Sequence, residues 1–167
     1  KARTLLELRN ILKSANILPM VIFNKKEWDL NKKDYICKVK SLSENDNFIV
    51  RSSAFDEDND KSSNAGKYQS ISNVNPRDNA SLDKAINKVL NSKKKLHIKD
   101  KIFIQEFINT ALISGVATSC CLQNYSPYIN ISYTEGKDTS LVTSGKTNTK
   151  KIQIFYYTKK HRRHYRY

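Results

Sequence analysis

The sequence predicts an α+β fold in which a mixed sheet is flanked by helices. Segments with apolar residues at helical spacing alternate along the chain with short apolar runs that are typical of buried strands. The opening order of helix, strand, helix and strand favours α/β or α+β packing. With 167 residues, of which 38% are hydrophobic and 28% charged, the chain has the size of one domain or of two small lobes with a buried core.

The first part of the chain supplies two predicted helices and two predicted strands. Residues 1–15 place leucine and isoleucine at helical spacing, and Pro19 follows where a helix cannot continue. Residues 20–23 form a short apolar run that predicts a buried strand. Asn24 can cap a second helix, since Glu27 stands at the capping-box position, and this helix is expected to run to about residue 42. The apolar run that ends at residue 51 is the second strand.

The rest of the chain repeats the alternation of helix and strand. Pro76 and Asp78 open a predicted helix that ends in the lysine run at 93–95. A strand is predicted at 101–107, and residues 128–133 alternate as in a half-exposed strand. Residues 150–157 alternate in the same way and predict a last strand.

The segment 50–74 carries the strongest functional signal. A strand delivers Arg51, Ser52 and Ser53 into a polar loop that closes on Gly66, where the backbone can come close to a ligand. An arginine fork, serine hydroxyls and glycine amides all donate hydrogen bonds to anionic oxygens, which suits a polyphosphate. The alternative is a surface loop between two strands with a solvated arginine.

Four spaced elements in this segment form a longer pattern: V-R-S-S-A at 50–54, E-D at 57–58, S-N-A-G at 63–66 and S-I-S-N-V at 70–74. This pattern resembles the ATP-binding N-terminal domain of the phosphoenolpyruvate synthase and pyruvate phosphate dikinase family. The resemblance implies a partial ATP-grasp nucleotide-binding domain with ATP and Mg²⁺ as cofactors.

The same resemblance assigns roles to single residues. Lys1 corresponds to a family lysine that contacts nucleotide phosphate, with a frayed terminal lysine as the alternative. Gln105 and Phe107 take the positions of a strand that lines the adenine pocket, and Phe107 is otherwise a core residue. The ATP-binding residues implied in this way are Lys1, Arg51, Ser52, Ser53, Gly66, Ser70, Gln105 and Phe107.

The resemblance also predicts how the chain is divided. It covers residues 1–145, expected as lobes at about 1–100 and 101–145, with a basic tail at 146–167. S-G-V at 114–116 matches a turn that enters a strand. The threonine-serine form of the glycine-rich turn at 138–145, together with the leucine-rich opening, looks most like the glutamine kinases of bacterial capsule pathways.

Parts of the family's machinery are missing from this sequence. No Asp or Glu follows Asp138, although the family holds Mg²⁺ through carboxylates beyond that turn. The chain also lacks an initiator Met and the phosphohistidine and acceptor domains. We therefore expect a truncated fragment of an ATP-dependent phosphotransferase whose missing domains are lost or reside on a separate chain.

The cysteine content and the absence of targeting signals predict a cytoplasmic protein without a membrane span. The three cysteines, Cys37, Cys120 and Cys121, have no metal-type spacing with histidine and are interpreted as reduced thiols. No apolar run approaches the roughly 18–20 residues that span a bilayer, and no signal peptide is recognised.

The net charge of +14 supports a competing hypothesis, a basic nucleic-acid-binding module. However, residues 146–167 hold eight Lys or Arg and no acid, so the preceding residues carry only +6. We interpret this remainder as background and do not expect nucleic acid as a partner. The tail itself is interpreted as a non-native end, with RNA contact or metal binding by His161 and His164 as alternatives. A degenerate, non-catalytic remnant is the third hypothesis.

Overall fold

The computed structural model describes residues 2–54, 69–92, 97–121, 123–136 and 149–155, together with residue 142 and the backbone of 58–59 and 62–63. It divides into two compact units, Lys1–Phe107 and Ile108–Tyr167. The lobes at about 1–100 and 101–145 and the tail at 146–167 remain a prediction.

The described residues of the first unit form three helices and six strands. In chain order they are α1 (Ala2–Arg9), β1 (Met20–Phe23), α2 (Lys25–Lys40), β2 (Phe48–Ser53), β3 (Asp58–Asn59), β4 (Ser62–Ser63), β5 (Ser70–Val74), α3 (Asn79–Asn91) and β6 (Lys101–Glu106). Four of the strands form a sheet in the order β1-β6-β2-β5, while β3 and β4 pair with each other.

The α+β class predicted from the sequence is confirmed, whereas the expected mixture of parallel and antiparallel pairing is not found. All pairs between the described strands are antiparallel. The reason lies in β6, which is the last of the four strands along the chain and inserts between β1 and β2. β1 and β2 are therefore parallel to each other without being paired.

The two faces of the four-stranded sheet have different roles. One face, here called the helix face, carries Val21, Phe23, Phe48, Val50 and Ile104, which form a buried core with the apolar side of α3 and with Trp28 and Val39 of α2. The side chains between them in the strands point to the opposite face, because successive residues of a strand alternate. That second face carries Arg51 and is called the arginine face. Phe103 on this face is fully buried outside the main core, and α1 contacts its strand.

The start of α2 confirms the predicted capping box. The Asn24 side chain accepts a hydrogen bond from the Glu27 N–H at 2.8 Å, and the Glu27 carboxylate accepts one from the Asn24 N–H at 2.7 Å. The helix ends at Lys40, two residues before the predicted end, and is kinked at Asn31. The capping residues thus fix the beginning of the helix that covers one end of the sheet.

The other predicted elements are confirmed with altered ends. Asp78 caps α3 by accepting hydrogen bonds from Ala80 N–H and Ser81 N–H at 2.9 and 3.2 Å. The first helix is shorter than predicted, because the Ile11 and Leu12 N–H groups both bond to the Leu8 carbonyl and close its last turn.

β5 contains an irregularity at Asn73. Phe48 pairs with Val74 and Val50 with Ile71, so that β5 holds one residue more than β2 in this interval. Asn73 has a φ of 58°, in the left-handed region that asparagine tolerates better than most residues. The backbone conformation at this bulge therefore accounts for an asparagine at position 73, within the S-I-S-N-V element, without any role in ligand binding.

The described strands of the second unit form an antiparallel sheet in the order β7-β8-β9. They are Ile113–Thr118, Tyr128–Glu135 and Lys150–Phe155. The turn predicted at 114–116 is wrong, since these residues lie inside β7. Gly115 permits the close pairing with β8, because a Cβ there would lie 2.6 Å from the Ser132 carbonyl oxygen. β9 confirms the strand predicted at 150–157 as far as Phe155.

Candidate nucleotide site

Arg51 lies in the middle of the arginine face, in a row of side chains that crosses the sheet. It pairs with Phe103 of β6 on one side and with Ser70 of β5 on the other. Its guanidinium carbon lies 5.4 Å from the centroid of the Phe103 ring, a distance typical of a cation–π contact. Because Phe103 is fully buried, it is a fixed platform that keeps the half-buried guanidinium close to the sheet.

Gln105 lies on the same face, two residues along β6 from Phe103. It pairs with Ile49 and is therefore a diagonal neighbour of Arg51, with Cα atoms roughly 7–8 Å apart. Its Oε1 atom is buried and has no hydrogen-bond partner among the residues that the structure describes. A buried acceptor without a partner costs about 1–3 kcal/mol, which a ligand that donates a hydrogen bond would recover.

Asn47 is a third polar residue at this edge of the site, besides Arg51 and Gln105, and it was not predicted from the sequence. The Phe107 N–H donates to the Asn47 carbonyl at 2.9 Å, which extends the β2–β6 ladder by one pair and places these two residues opposite each other. The alternation along β2 puts Asn47 on the arginine face with Ile49 and Arg51. Its Oδ1 atom is also buried without a partner.

No sequence signal distinguished Asn47 from an ordinary turn residue, because asparagine is common just before a strand. Its place on the arginine face follows from its position opposite Phe107, which only the tertiary structure shows. The two unsatisfied amide oxygens, of Asn47 and Gln105, make this end of the arginine face able to accept hydrogen bonds from a ligand.

Ser53 shares the arginine face but is already used by the fold. Its hydroxyl oxygen accepts a hydrogen bond from the Ala2 N–H at 3.0 Å, and both residues are buried. This bond satisfies one of the free N–H groups at the start of α1. Ser53 thus connects the first helix to the sheet beside the arginine.

Ser52 points in the opposite direction from Arg51. It pairs with Ile102, a residue of the main core, and lines a pocket on the helix face. Ser52 was expected in one site with Arg51 and Ser53, which are consecutive with it in the sequence. The pleat of the strand instead directs Ser52 to the opposite face. Lys1 and Gly66, the two remaining predicted residues, lie outside the described residues.

The described residues do not supply a metal centre. Within them, no group of three or more His, Cys, Asp or Glu is arranged to hold a metal ion. Mg²⁺ prefers several oxygen ligands in octahedral geometry, so this donor set does not fit the ion by itself. Likewise, no described helix has the length and apolar character needed to cross a membrane.

The comparison with protein families found a match for part of the first unit. Residues 29–97 match the family described as pyruvate phosphate dikinase, AMP/ATP-binding domain. The matched range includes Arg51 and Ser70 and ends before β6, which contributes Phe103 and Gln105. This part of the chain is therefore similar to a domain that binds adenine nucleotides. The comparison with curated proteins found no match.

Proposed function

We propose that this chain binds ATP on the arginine face of its four-stranded sheet and is the nucleotide-binding part of an ATP-dependent phosphotransferase. The observation that carries the proposal is that a restrained cation, Arg51, and a buried acceptor without a described partner, the Oε1 atom of Gln105, lie on the same face of the sheet. Arg51 and Gln105 are diagonal neighbours there. The similarity of residues 29–97 to an AMP/ATP-binding domain supports the same conclusion.

Each group in the proposed site matches one part of ATP. The guanidinium of Arg51 donates to phosphate oxygens, for which its planar fork is better suited than a lysine ammonium. Ser70, exposed and opposite Arg51, adds a hydroxyl donor at the outer strand of the sheet.

At the other end of the face, the Oε1 atom of Gln105 accepts from the 6-amino group of adenine. Phe107, half-buried beyond it, covers the base. This assignment leaves Ser52 outside the site, because it faces the other side of the sheet, and gives Ser53 a supporting role through α1.

The finer features of this proposal rest on the family resemblance. In the whole enzyme, the β-phosphoryl group of ATP would pass to a histidine on another domain or chain and then to an acceptor such as pyruvate or glutamine. AMP would leave, and the γ-phosphoryl group would be transferred to water and released as inorganic phosphate. The Mg²⁺ ligands would come from residues other than the described ones. A cytoplasmic location belongs to the same proposal. Formation of AMP from ATP by this chain alone would contradict the need for a separate histidine domain.

Calorimetric titration of the chain with ATP, with and without Mg²⁺, tests the binding site. Arg51→Ala is expected to weaken ATP binding at least about tenfold, since a hydrogen bond to a charged group contributes about 1.5–3 kcal/mol. Arg51→Lys keeps the charge and loses the planar fork, so its affinity for ATP is expected to lie between those of wild type and Arg51→Ala. The control is Arg9→Ala, which removes an exposed arginine at the end of α1. Equal affinities of wild type and Arg51→Ala would rule the proposal out.

A further inference from the structure

A pocket lies on the helix face of the first unit, on the other side of the sheet from Arg51. Its volume is about 500 Å³, within the range of pockets that bind small organic molecules. The first turns of α2, the end of α3, the loop before β6 and the end of β2 enclose it. Neither the family match nor the ATP proposal assigns a role to this pocket.

The pocket has an apolar interior, and exposed aliphatic side chains lie among the charged groups that line it. Val89, Leu90 and Ile102 line it and belong to the buried core. Leu30 and Ile98 also line it, yet they are 70% and 78% exposed. Because these two large aliphatic side chains are exposed to solvent beside the cavity, an apolar part of a ligand could bury them and be buried itself.

The charged groups around the mouth are not equivalent. The Lys25 ammonium is held by Asp29 at 2.6 Å, and the Lys101 ammonium lies 3.9 Å from the Glu27 carboxylate. Lys26 also lines the pocket, and no carboxylate in the described part of the chain lies within ion-pair distance of it. Among the described lysines that line the pocket, Lys26 is therefore the one that a ligand anion can approach without displacing a carboxylate partner.

From these features we infer that the pocket binds a small organic carboxylate with an apolar body, whose carboxylate lies at Lys26 and whose body lies against Leu30, Ile98 and the core. A highly charged nucleotide fits this pocket poorly, because its interior is apolar and Lys26 is the only described lining lysine without a carboxylate partner to meet several phosphate charges. A neutral apolar molecule would fill the cavity but gain nothing from Lys26. The site is independent of the proposed ATP site.

Octanoate is a suitable probe, with 1-octanol as the neutral molecule of the same length. In a two-dimensional amide NMR titration of the full chain, octanoate is expected to bind saturably and to shift the amides of Lys26, Leu30, Ser92 and Ile98. Octanol is expected to bind more weakly at the same amides. Absence of saturable binding, or shifts confined to other parts of the chain, would overturn the assignment.

Two substitutions separate the roles of charge and apolar contact. Lys26→Ala is expected to weaken octanoate binding about two- to fivefold and to leave octanol binding unchanged, because exposed ion pairs are individually weak. Leu30→Ser is expected to weaken both ligands about fivefold or more, since it removes apolar contact area. Both side chains are exposed in the free protein, so neither change should unfold it.

Lys33→Ala is the matched control, because Lys33 is an exposed lysine of α2 that does not line the pocket. Equal octanoate affinities of Lys26→Ala and Lys33→Ala would contradict the assigned position of the carboxylate. Saturating ATP is expected to leave octanoate affinity unchanged, and competition between the two ligands would overturn the independence of the sites. Loss of ATP binding in Arg51→Ala with octanoate binding retained would distinguish this inference from the ATP proposal.

Discussion

At the scale of single residues, the arginine face shows how a β-strand distributes neighbouring side chains. Arg51 and Ser53 point to one face and Ser52 to the other, although all three stand together in the sequence. The arginine gains a fixed platform from Phe103, whereas Ser53 is used to hold α1. The consecutive residues Arg51, Ser52 and Ser53 therefore do not act as one motif, because they lie on two faces and make different contacts.

The two serines allow a direct test of that separation. Ser53→Ala is expected to lower the free energy of unfolding by about 1–2 kcal/mol, because it leaves the buried Ala2 N–H without its acceptor. Ser52→Ala is the control, since the structure gives the Ser52 hydroxyl no hydrogen bond. Urea denaturation followed by circular dichroism measures both changes. Equal losses in the two variants would contradict the assigned role of Ser53.

The carboxylate of Glu135 provides a test based on titration. A hydrogen bond from the Lys150 ammonium at 2.7 Å and the charge of that ammonium lower the pKa of Glu135, while the same bond raises the pKa of Lys150. The stabilising effect of the pair should therefore be lost at low pH, as Glu135 is protonated below its usual range, and at high pH, as Lys150 is deprotonated above its own.

Lys150→Ala is expected to raise the pKa of Glu135 toward the ordinary value of a glutamate, and carbon-detected NMR of the carboxylate can measure it. Lys151→Ala is a matched control on the same strand. A pKa of Glu135 that is unchanged in Lys150→Ala would show that the contact between β8 and β9 does not persist in solution.

At the scale of elements, two backbone positions decide how strands pair. Asn73 allows β5 to accommodate its extra residue against β2, and Gly115 allows β7 to lie close to β8. The backbone conformation at Asn73 and the close strand approach at Gly115 account for these two residues without any contact to a ligand.

Replacement of Asn73 tests the bulge. Asn73→Gly is expected to keep or slightly raise stability, because glycine adopts a positive φ without steric cost. Asn73→Val is expected to cost about 1–2 kcal/mol, since a β-branched side chain is strained in the left-handed region. Ser72→Val at the neighbouring position is the control. Thermal denaturation distinguishes the variants, and tolerance of valine at both positions would contradict the bulge.

Replacement of Gly115 tests the pairing of β7 with β8. Gly115→Ala places a Cβ 2.6 Å from the Ser132 carbonyl oxygen and 2.9 Å from the Tyr133 Cβ, so backbone must shift. We expect amide protons of β7 and β8 to exchange faster with solvent, while those of β2 and β6 are unchanged. Ala117→Gly, a change in the opposite sense on the same strand, is the comparison. Unchanged exchange in Gly115→Ala would refute the close approach.

At the scale of the molecule, the hydrophobic core belongs to the first unit. Every buried hydrophobic residue among the described ones lies between Ala2 and Ile104, and Ser114 is the buried residue found beyond them. A small sheet needs a hydrophobic face or packing against a helix to be stable by itself in water. The two units therefore differ in the amount of burial that each can supply by itself.

Separate expression of the two units tests this difference. Residues 1–107 alone are expected to unfold cooperatively in urea, and residues 108–167 alone are expected to show no cooperative transition. Far-ultraviolet circular dichroism and tryptophan fluorescence can follow the first, since Trp28 is buried in its core. Cooperative unfolding of 108–167 or its absence in 1–107 would contradict the assignment of the core.

Local sequence patterns predicted most helices and strands, because caps and apolar periodicity act over only a few residues. Asn24 and Glu27 marked the start of α2, and the apolar run before Arg51 marked β2. The end of α1 was placed too far along the chain, since Ile11 and Leu12 continue the helical spacing while remaining exposed. The glycine at 115 was assigned to a turn although it serves a close approach of strands.

The sequence by itself therefore determined the α+β class, the capped helices and the arginine-containing segment that resembles an ATP-binding domain. The tertiary structure decided which side chains share a face: it joined Arg51 with Phe103, Gln105 and Asn47, and it removed Ser52 from them. The physical reason is that a side chain's direction depends on strand register. The register of β2 is set by its pairing with β6, some fifty residues further along the chain, and no local pattern contains that information.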